Sequence, residues 1–209
     1  MKLDARQLSA ALLRCCEKIH HSAAELNALD GQLGDGDLGA TLEKCARLTQ
    51  QALTPVPSDI AAVFQAASMA CVRASGSSFG TLLGVALLTA AKQSAGKQTL
   101  DAQAIPALLQ AVLTALMARG GAAPGDKTVL DAIEALHQAL VSQPEENWRQ
   151  AAPEAVAQAL ATFRQRPNKI GRARMFAERS VGLDDPGMVA FAHLVDAALG
   201  KASQLQEAR

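Results

Sequence analysis

The chain has 209 residues, 49% of them hydrophobic and only 3% aromatic, which is enough apolar matter for one sizeable core. Lys plus Arg and Asp plus Glu both number 20, so the formal charge is zero. That balance excludes the basic surfaces that nucleic acid and anionic membranes select for.

The start, MKLDARQLSAALL, carries Asp4 and Arg6 where a signal peptide needs its apolar segment, so no leader is expected. The longest nearly apolar run, Phe79 to Ala91, falls short of the roughly 20 residues that span a bilayer. Leu8, Leu12, Cys15 and Ile19 recur at three- and four-residue steps and predict a helix from Asp4, its N-cap, to Asn27. A second helix is expected from Gly39 to Leu53, ended by Pro55 and Pro57. Ser58 then caps a third, with Ile60, Val63, Phe64, Ala67 and Cys71 inward. The fourth, Ser78 to Gln93, is apolar on nearly all sides and should be the most buried.

The fifth helix is predicted over Asp101 to Ala118, kinked at Pro106, the sixth over Thr128 to Ser142 and the seventh over Asn147 to Gln165. Asp185 and Pro186 open the eighth as N-cap and first helical residue. No run alternates as a strand does, so the class is all-α, a single helical domain. Glycine-rich or charge-dense connections lie at 28–38, 73–77, 119–127 and 166–184. In an up-and-down bundle these are the first, third, fifth and seventh connections, and parity puts all four at one end. One composite site is expected there.

The first of these connections reads LDGQLGDGDLG, with Asp30, Asp35 and Asp37 among glycines. Carboxylates this close repel one another, and a divalent cation reverses the penalty. Oxygen ligands with no sulfur or imidazole beside them suit Mg²⁺ or Ca²⁺. The competing reading is a solvated acidic turn in which Asp37 caps the second helix. Gly34 to Gly39 also spells G-x-G-x-x-G, but a helix precedes it where a dinucleotide fold requires a strand. The Asp30–Asp35 gap breaks the alternate spacing of an EF-hand loop.

Arg73-Ala-Ser-Gly-Ser-Ser-Phe-Gly80 stands before the fourth helix, where backbone N–H groups take phosphate or a serine merely caps. Pro124-Gly-Asp-Lys-Thr128 precedes the sixth helix, with Asp126 or Thr128 as its cap and Lys127 in solvent on the plain reading. Arginines in Gly171-Arg-Ala-Arg174 suit bidentate phosphate contact, against the plain reading of a solvated charged face. The four histidines show no ligand spacing, and Cys15, Cys16, Cys45 and Cys71 read as small reduced hydrophobes.

Taken together and in this order, these stretches resemble the nucleotide-binding L subunit of dihydroxyacetone kinase, whose pattern is a G-D-x-D-H-G loop, a Gly/Ser turn, P-G-D-K-T and G-R-A…E-R-S-x-G-x-x-D-P-G. The resemblance covers Leu29 to Gly187, with PGDKT and GRARMFAERSVGLDDPG as close matches. It implies an eight-helix antiparallel barrel that holds ADP or ATP with two Mg²⁺ at one end, in a cytoplasmic protein. It also implies Asp30, Asp35 and Asp37 as metal ligands, with Ser75 and Gly76 at the phosphates. Leu38, Gly39, Thr41 and Arg73 would lie beside them. Gly120 and Val129 would line the adenine pocket, Arg172 would contact the nucleotide, and Asp185, Pro186 and Gly187 would close its side.

No catalytic residue beyond the metal ligands is implied in this chain. A separate K-type subunit presents the hydroxyl of dihydroxyacetone or a related ketose, a phosphocarrier M-type subunit recharges ADP in one form of the system, and a homodimer is allowed. Two departures stand out: Leu38 replaces the pattern's histidine, and Thr41 its usual asparagine. Val72-Arg73 also replaces a glycine pair, and Arg73 is expected to restore part of the missing charge. The alternatives are a nucleotide-binding paralogue with a regulatory role and a free-standing relative of the nucleotide domain of fatty acid kinase.

Overall fold

Helix α1 begins where the sequence predicts. Asp4 accepts from the Gln7 backbone while the Gln7 side chain takes the Asp4 N–H, a closed capping box. The helix then runs past its expected end at Asn27 and spans Ala5–Leu33, so that Asp30 sits in its last turn rather than in a loop. In the computed structural model, which describes residues 2–74 and 77–200, seven further helices follow. They are α2 (Leu38–Ala52), α3 (Ile60–Ala74), α4 (Ser78–Gln93), α5 (Ile105–Gly120), α6 (Val129–Ser142), α7 (Trp148–Arg164) and α8 (Pro186–Ala198). The class is all-α as expected. The single departure among the described residues is a two-residue antiparallel bridge between β1 (Lys2–Leu3) and β2 (Leu100–Asp101), too short to show as alternation.

Three local expectations are corrected. Asp59, not Ser58, caps α3: its Oδ1 accepts from Ala62 N at 2.8 Å while the Ser58 hydroxyl donates to Oδ2. Pro106 starts α5 instead of kinking it, because its missing N–H falls among the unpaired donors of the first turn. Helix α4 is not the most buried: it buries Gly80, Gly84, Ala90 and Ala91 and leaves Leu88 41% exposed, whereas α3 buries eight residues. Helix α4 packs mainly against its two ring neighbours, α3 and α5, and part of its first turns borders a cavity. The longest apolar helical stretch is likewise not at 79–91. It is Ala102–Gly120, with mean hydropathy 1.3, long and apolar enough by length and composition to cross a membrane. Here it stands between α4 and α6, burying Val112, Leu113 and Leu116.

Each helix packs on the next, and α8 returns to α1 to close the ring. Successive helices that pack side by side in this order run antiparallel, and the α7–α8 link is the longest. At the closure, Arg14 donates to the Ala197 and Ala198 carbonyls at 3.0 and 2.8 Å, satisfying the free end of α8. The core is distributed around the ring, with Leu8, Ile60, Val63 and Leu100 together in one cluster and Ala132, Val156, Met188 and Val195 in another. All four cysteines are buried and free, and burial pushes the Cys15 and Cys16 thiols up to about 12 and about 11. They behave as the small hydrophobes the sequence suggests.

Candidate functional site

The odd-numbered connections do meet at one end. A cavity of about 900 Å³ is lined there by residues of all four, together with the first turns of α2, α4, α6 and α8. Its lining includes Leu38, Ser78, Val129 and Pro186, the first helical residues of those four helices. The up-and-down order makes this unavoidable, because every even-numbered helix starts at that end. Four helix N-termini, each a positive dipole end, therefore surround one cavity, a setting for a polyanion.

The three aspartates lie on the cavity's edge, and one carboxylate oxygen from each lies within 4.8 Å of the other two. Asp30 is half-buried, and Asp35 and Asp37 are exposed. The competing cap reading of Asp37 is overturned, since Asp37 occupies the N-cap position but makes no side-chain capping bond. Asp30 Oδ2 instead accepts from Asp37 N at 3.0 Å and Leu38 N at 3.3 Å, and Asn27 Oδ1 accepts from Ala40 N at 3.1 Å. The start of α2 is thus capped from α1.

Asp30 also sits at the C-terminal, negative end of α1, where a carboxylate is disfavoured. A chain that holds three carboxylates together with one in that place carries a local cost that a cation removes. Six-coordinate Mg²⁺ spaces its oxygens by about 3 to 4 Å, so the cluster fits one ion after small side-chain rotations, or two ions that keep waters.

Glycine is required at two points in this corner. Gly36 has φ +75°, which turns the chain back toward α1. At Gly39 a Cβ would stand 1.9 Å from the Ala23 carbonyl oxygen, so only glycine lets α2 start flush against α1. Gly39 is therefore buried in a helix contact and lies outside the cavity lining, as do Thr41 and the exposed Arg73 at the end of α3. Leu38 does line the cavity but is 6% exposed and packs among apolar residues with Leu42. Ser75, Gly76 and the Arg172 side chain lie outside the described residues. Gly120, Val129, Asp185, Pro186 and Gly187 all line the cavity.

Ser77 caps α4, accepting from Gly80 N. Beyond it Phe79 and Leu82 join Leu116 and Leu130 in an apolar stretch of wall, none of them singled out from sequence. Helical periodicity alone marks such residues as core. Arg119 and Arg174, both exposed, add cationic groups to the lining.

Lys127 is the largest correction. Far from being solvated it is fully buried, with φ 61° and its ammonium donating to main-chain carbonyls of the 164–180 region. Thr128, not Asp126, caps α6 in a box with the buried Asp131, whose carboxyl is pushed above its ordinary value by burial. Asp185 caps α8 through Met188 N at 2.9 Å and takes Asn168 Nδ2 at 3.0 Å. Burial pushes its carboxyl up to about 6, against the hydrogen bonds and the nearby Lys127 charge that pull it down.

Residues 32–200 match the DAK2 domain family. The chain is 38% identical over 201 residues to D-erythrulose kinase of Mycolicibacterium smegmatis, covering 91% of itself but 34% of that protein. It is 30% identical over 184 residues to the ADP-binding subunit DhaL of a PEP-dependent dihydroxyacetone kinase of Listeria innocua, covering 88% of itself and 89% of that subunit. The dihydroxyacetone kinase of C. freundii in its native form superposes with a TM-score of 0.74 at 25% identity, over 93% of this chain and 34% of that one. The chain thus spans about a third of the length of the fused kinases and nearly the whole of a stand-alone DhaL subunit.

Proposed function

The chain belongs to the DAK2 domain family, and from that premise we propose that it is the nucleotide-holding subunit of a dihydroxyacetone-type kinase. It would bind ADP or ATP with two Mg²⁺ in the cavity at the N-terminal ends of α2, α4, α6 and α8. The observation that carries the reading is the pairing of those four N-termini with a three-carboxylate cluster on one cavity. The N-termini suit phosphate, the cluster suits the cation that accompanies it, and neither alone explains the other.

On this reading Asp30, Asp35 and Asp37 hold the metal, which when bound supplies charge neutralisation at the terminal phosphates. Ser77 N-caps α4, and Ser75 and Gly76, which precede it in the sequence, would meet the phosphates. Phe79, Leu116 and Val129, with Gly120, line an apolar part of the cavity that suits the base, and Gly187 and Pro186 close its side. Arg172 and Arg174 sit on the segment that faces the nucleotide.

The acceptor hydroxyl, of dihydroxyacetone or a related small ketose, comes from a K-type partner subunit, and an M-type phosphocarrier recharges the nucleotide where ADP is retained. The chain itself then needs no nucleophile and no general base. A single helical domain in the cytoplasm completes the proposal.

Burial of Leu38 in apolar packing favours a second reading. It has no donor to offer a phosphate, and a subunit that binds nucleotide without transferring it would regulate a partner instead. One set of measurements separates these. The supernatant of the denatured protein is assayed for adenine nucleotide, and the stripped protein and Asp35→Asn are titrated with ADP with and without Mg²⁺. Mg²⁺-dependent binding lost in the variant is expected; no binding under either condition refutes the proposal. Transfer to dihydroxyacetone when a K-type subunit is added distinguishes kinase from regulator.

A further inference from the structure

From Gln165 to Asp185 the chain has no α-helix, only two 3₁₀ turns at Arg172–Phe176 and Glu178–Ser180. A connection this long in a helical bundle is uncommon unless it has a task. Its two ends are drawn together by one side chain. Lys127 Nζ donates to Arg166 O at 2.8 Å and reaches Arg164 O at 3.4 Å on the outgoing arm, and donates to Ser180 O at 2.6 Å on the returning arm.

The same neck is laced by Asn168 N to Ser180 Oγ at 2.9 Å and Gly182 N to Arg164 O at 2.7 Å. Arg164 adds a two-bond pair with Asp184, both at 2.8 Å. Asn168 Nδ2 ties this neck to the Lys127 carbonyl and to Asp185. Beyond the neck, Ile170, Gly171, Ala173, Arg174 and Met175 form part of the cavity wall. Lys127 itself does not line the cavity.

A buried ammonium on a left-handed backbone is an expensive way to close a loop. Burial lowers the Lys127 pKa and the nearby Asp185 and Asp184 charges raise it, so the cation depends on groups at the start of α8. Neutral packing would close a loop of no consequence more cheaply. The arrangement makes sense if the tip must be held in one place relative to the cavity while remaining open to a ligand on its inner side.

We infer that Lys127 is a positioning residue for the bound nucleotide: it pinches the neck of the 165–185 loop so that the tip, Ile170 to Met175, stands as a wall of the nucleotide cavity. This rests on the nucleotide reading above. Lys127 acts through backbone that the ligand touches and makes no contact of its own. Its loss therefore weakens nucleotide binding while leaving the aspartate cluster, which is built from the end of α1 and the start of α2, able to take a cation.

The test compares the native chain with Lys127→Met, which keeps an unbranched side chain one atom shorter and removes the ammonium. Mg·ADP is titrated calorimetrically and Mn²⁺ alone by paramagnetic relaxation of water. The expected result is a Kd for Mg·ADP at least tenfold weaker with Mn²⁺ affinity within twofold. A folded variant with native Mg·ADP affinity overturns the inference, as does a parallel loss of both affinities, which marks general loosening. If the variant does not fold, hydrogen exchange on the native chain decides. The neck amides of Asn168, Lys169 and Gly182 should be protected without ligand, and those of 170–176 should slow at least tenfold only with Mg·ADP. Bound Mg·ADP with no change at 170–176 overturns the inference. No Mg·ADP binding to the native chain at all overturns the nucleotide reading itself, and this inference with it.

Discussion

Replacing Gly39 by alanine sets two physical effects against each other. Judged from sequence, a glycine in the first turn of a helix becomes a better helix former as alanine, worth up to about 1 kcal/mol of stabilisation. Judged from packing, the added Cβ would stand 1.9 Å from Ala23 O and 2.7 Å from its carbonyl carbon. Ordinary contact begins near 3.4 Å, so the start of α2 must retreat from α1 by about 1.5 Å.

Three hydrogen bonds cross that contact, from Asp37 N and Leu38 N to Asp30 and from Ala40 N to Asn27, at 3.0, 3.3 and 3.1 Å. A retreat of that size breaks them, at about 0.5–1.5 kcal/mol each, toward the lower end here because water reaches this corner. Residual overpacking adds about 1–3 kcal/mol. Net of propensity, Gly39→Ala should destabilise by about 3 kcal/mol. In urea unfolding at an m-value of about 2–3 kcal/mol/M, the midpoint falls by about 1 M or more with m unchanged. Mg²⁺ affinity should fall as well, because Asp30 loses the N–H groups that orient it. An unchanged or raised midpoint refutes the reasoning and returns Gly39 to a role in the site.

Asn27→Ala removes the acceptor for Ala40 N and should cost about 1 kcal/mol by the same unfolding assay, although Asn27 is 13 residues from the bond it completes. Asp37→Asn should cause no loss of thermal stability in the metal-free protein, since Asp37 caps nothing and one of three clustered charges is removed, yet it should abolish Mg²⁺-dependent ADP binding. A lowered Tm without added metal would revive the capping role.

Asp185 gives a pH prediction. Its carboxyl is raised from its ordinary 3.8 to about 6, so the folded state holds the proton more tightly than the unfolded one. Its stabilising contribution is complete below about pH 3.8 and is lost as pH rises through about 6, a change of about 3 kcal/mol for a shift of about two units. Relative to Asp185→Asn, native stability should therefore fall by most of that amount between pH 4 and pH 7.5 in denaturant titrations. Parallel profiles for the two proteins would refute it.

Much of this protein is legible in its sequence because its helices are nearly self-sufficient. Asp4, Thr128 and Asp185 cap through residues two or three away, and three- and four-residue spacing marks buried faces, so element order and helix class follow from local rules. Counting connections then places four unlike loops at one end, a conclusion that needs only alternation of direction. The aspartate cluster is visible for the same reason, since Asp30, Asp35 and Asp37 are close in the chain.

What only the folded structure decides involves partners far apart in sequence. Asn27 rather than Asp37 caps α2, Gly39 is dictated by a carbonyl of another helix, and α4 owes its partial exposure to the ring it stands in. Lys127 is the clearest case. Beside Asp126 and Thr128 it reads as one more surface charge, because nothing local distinguishes a lysine in water from a buried one. Its three carbonyl partners lie 37 to 53 residues away, and a side chain long enough to reach them is fixed by whichever backbone the tertiary fold brings within about 3 Å. Periodicity and capping are short-range and can be read along the chain, whereas burial of a charge depends on which distant backbone surrounds it.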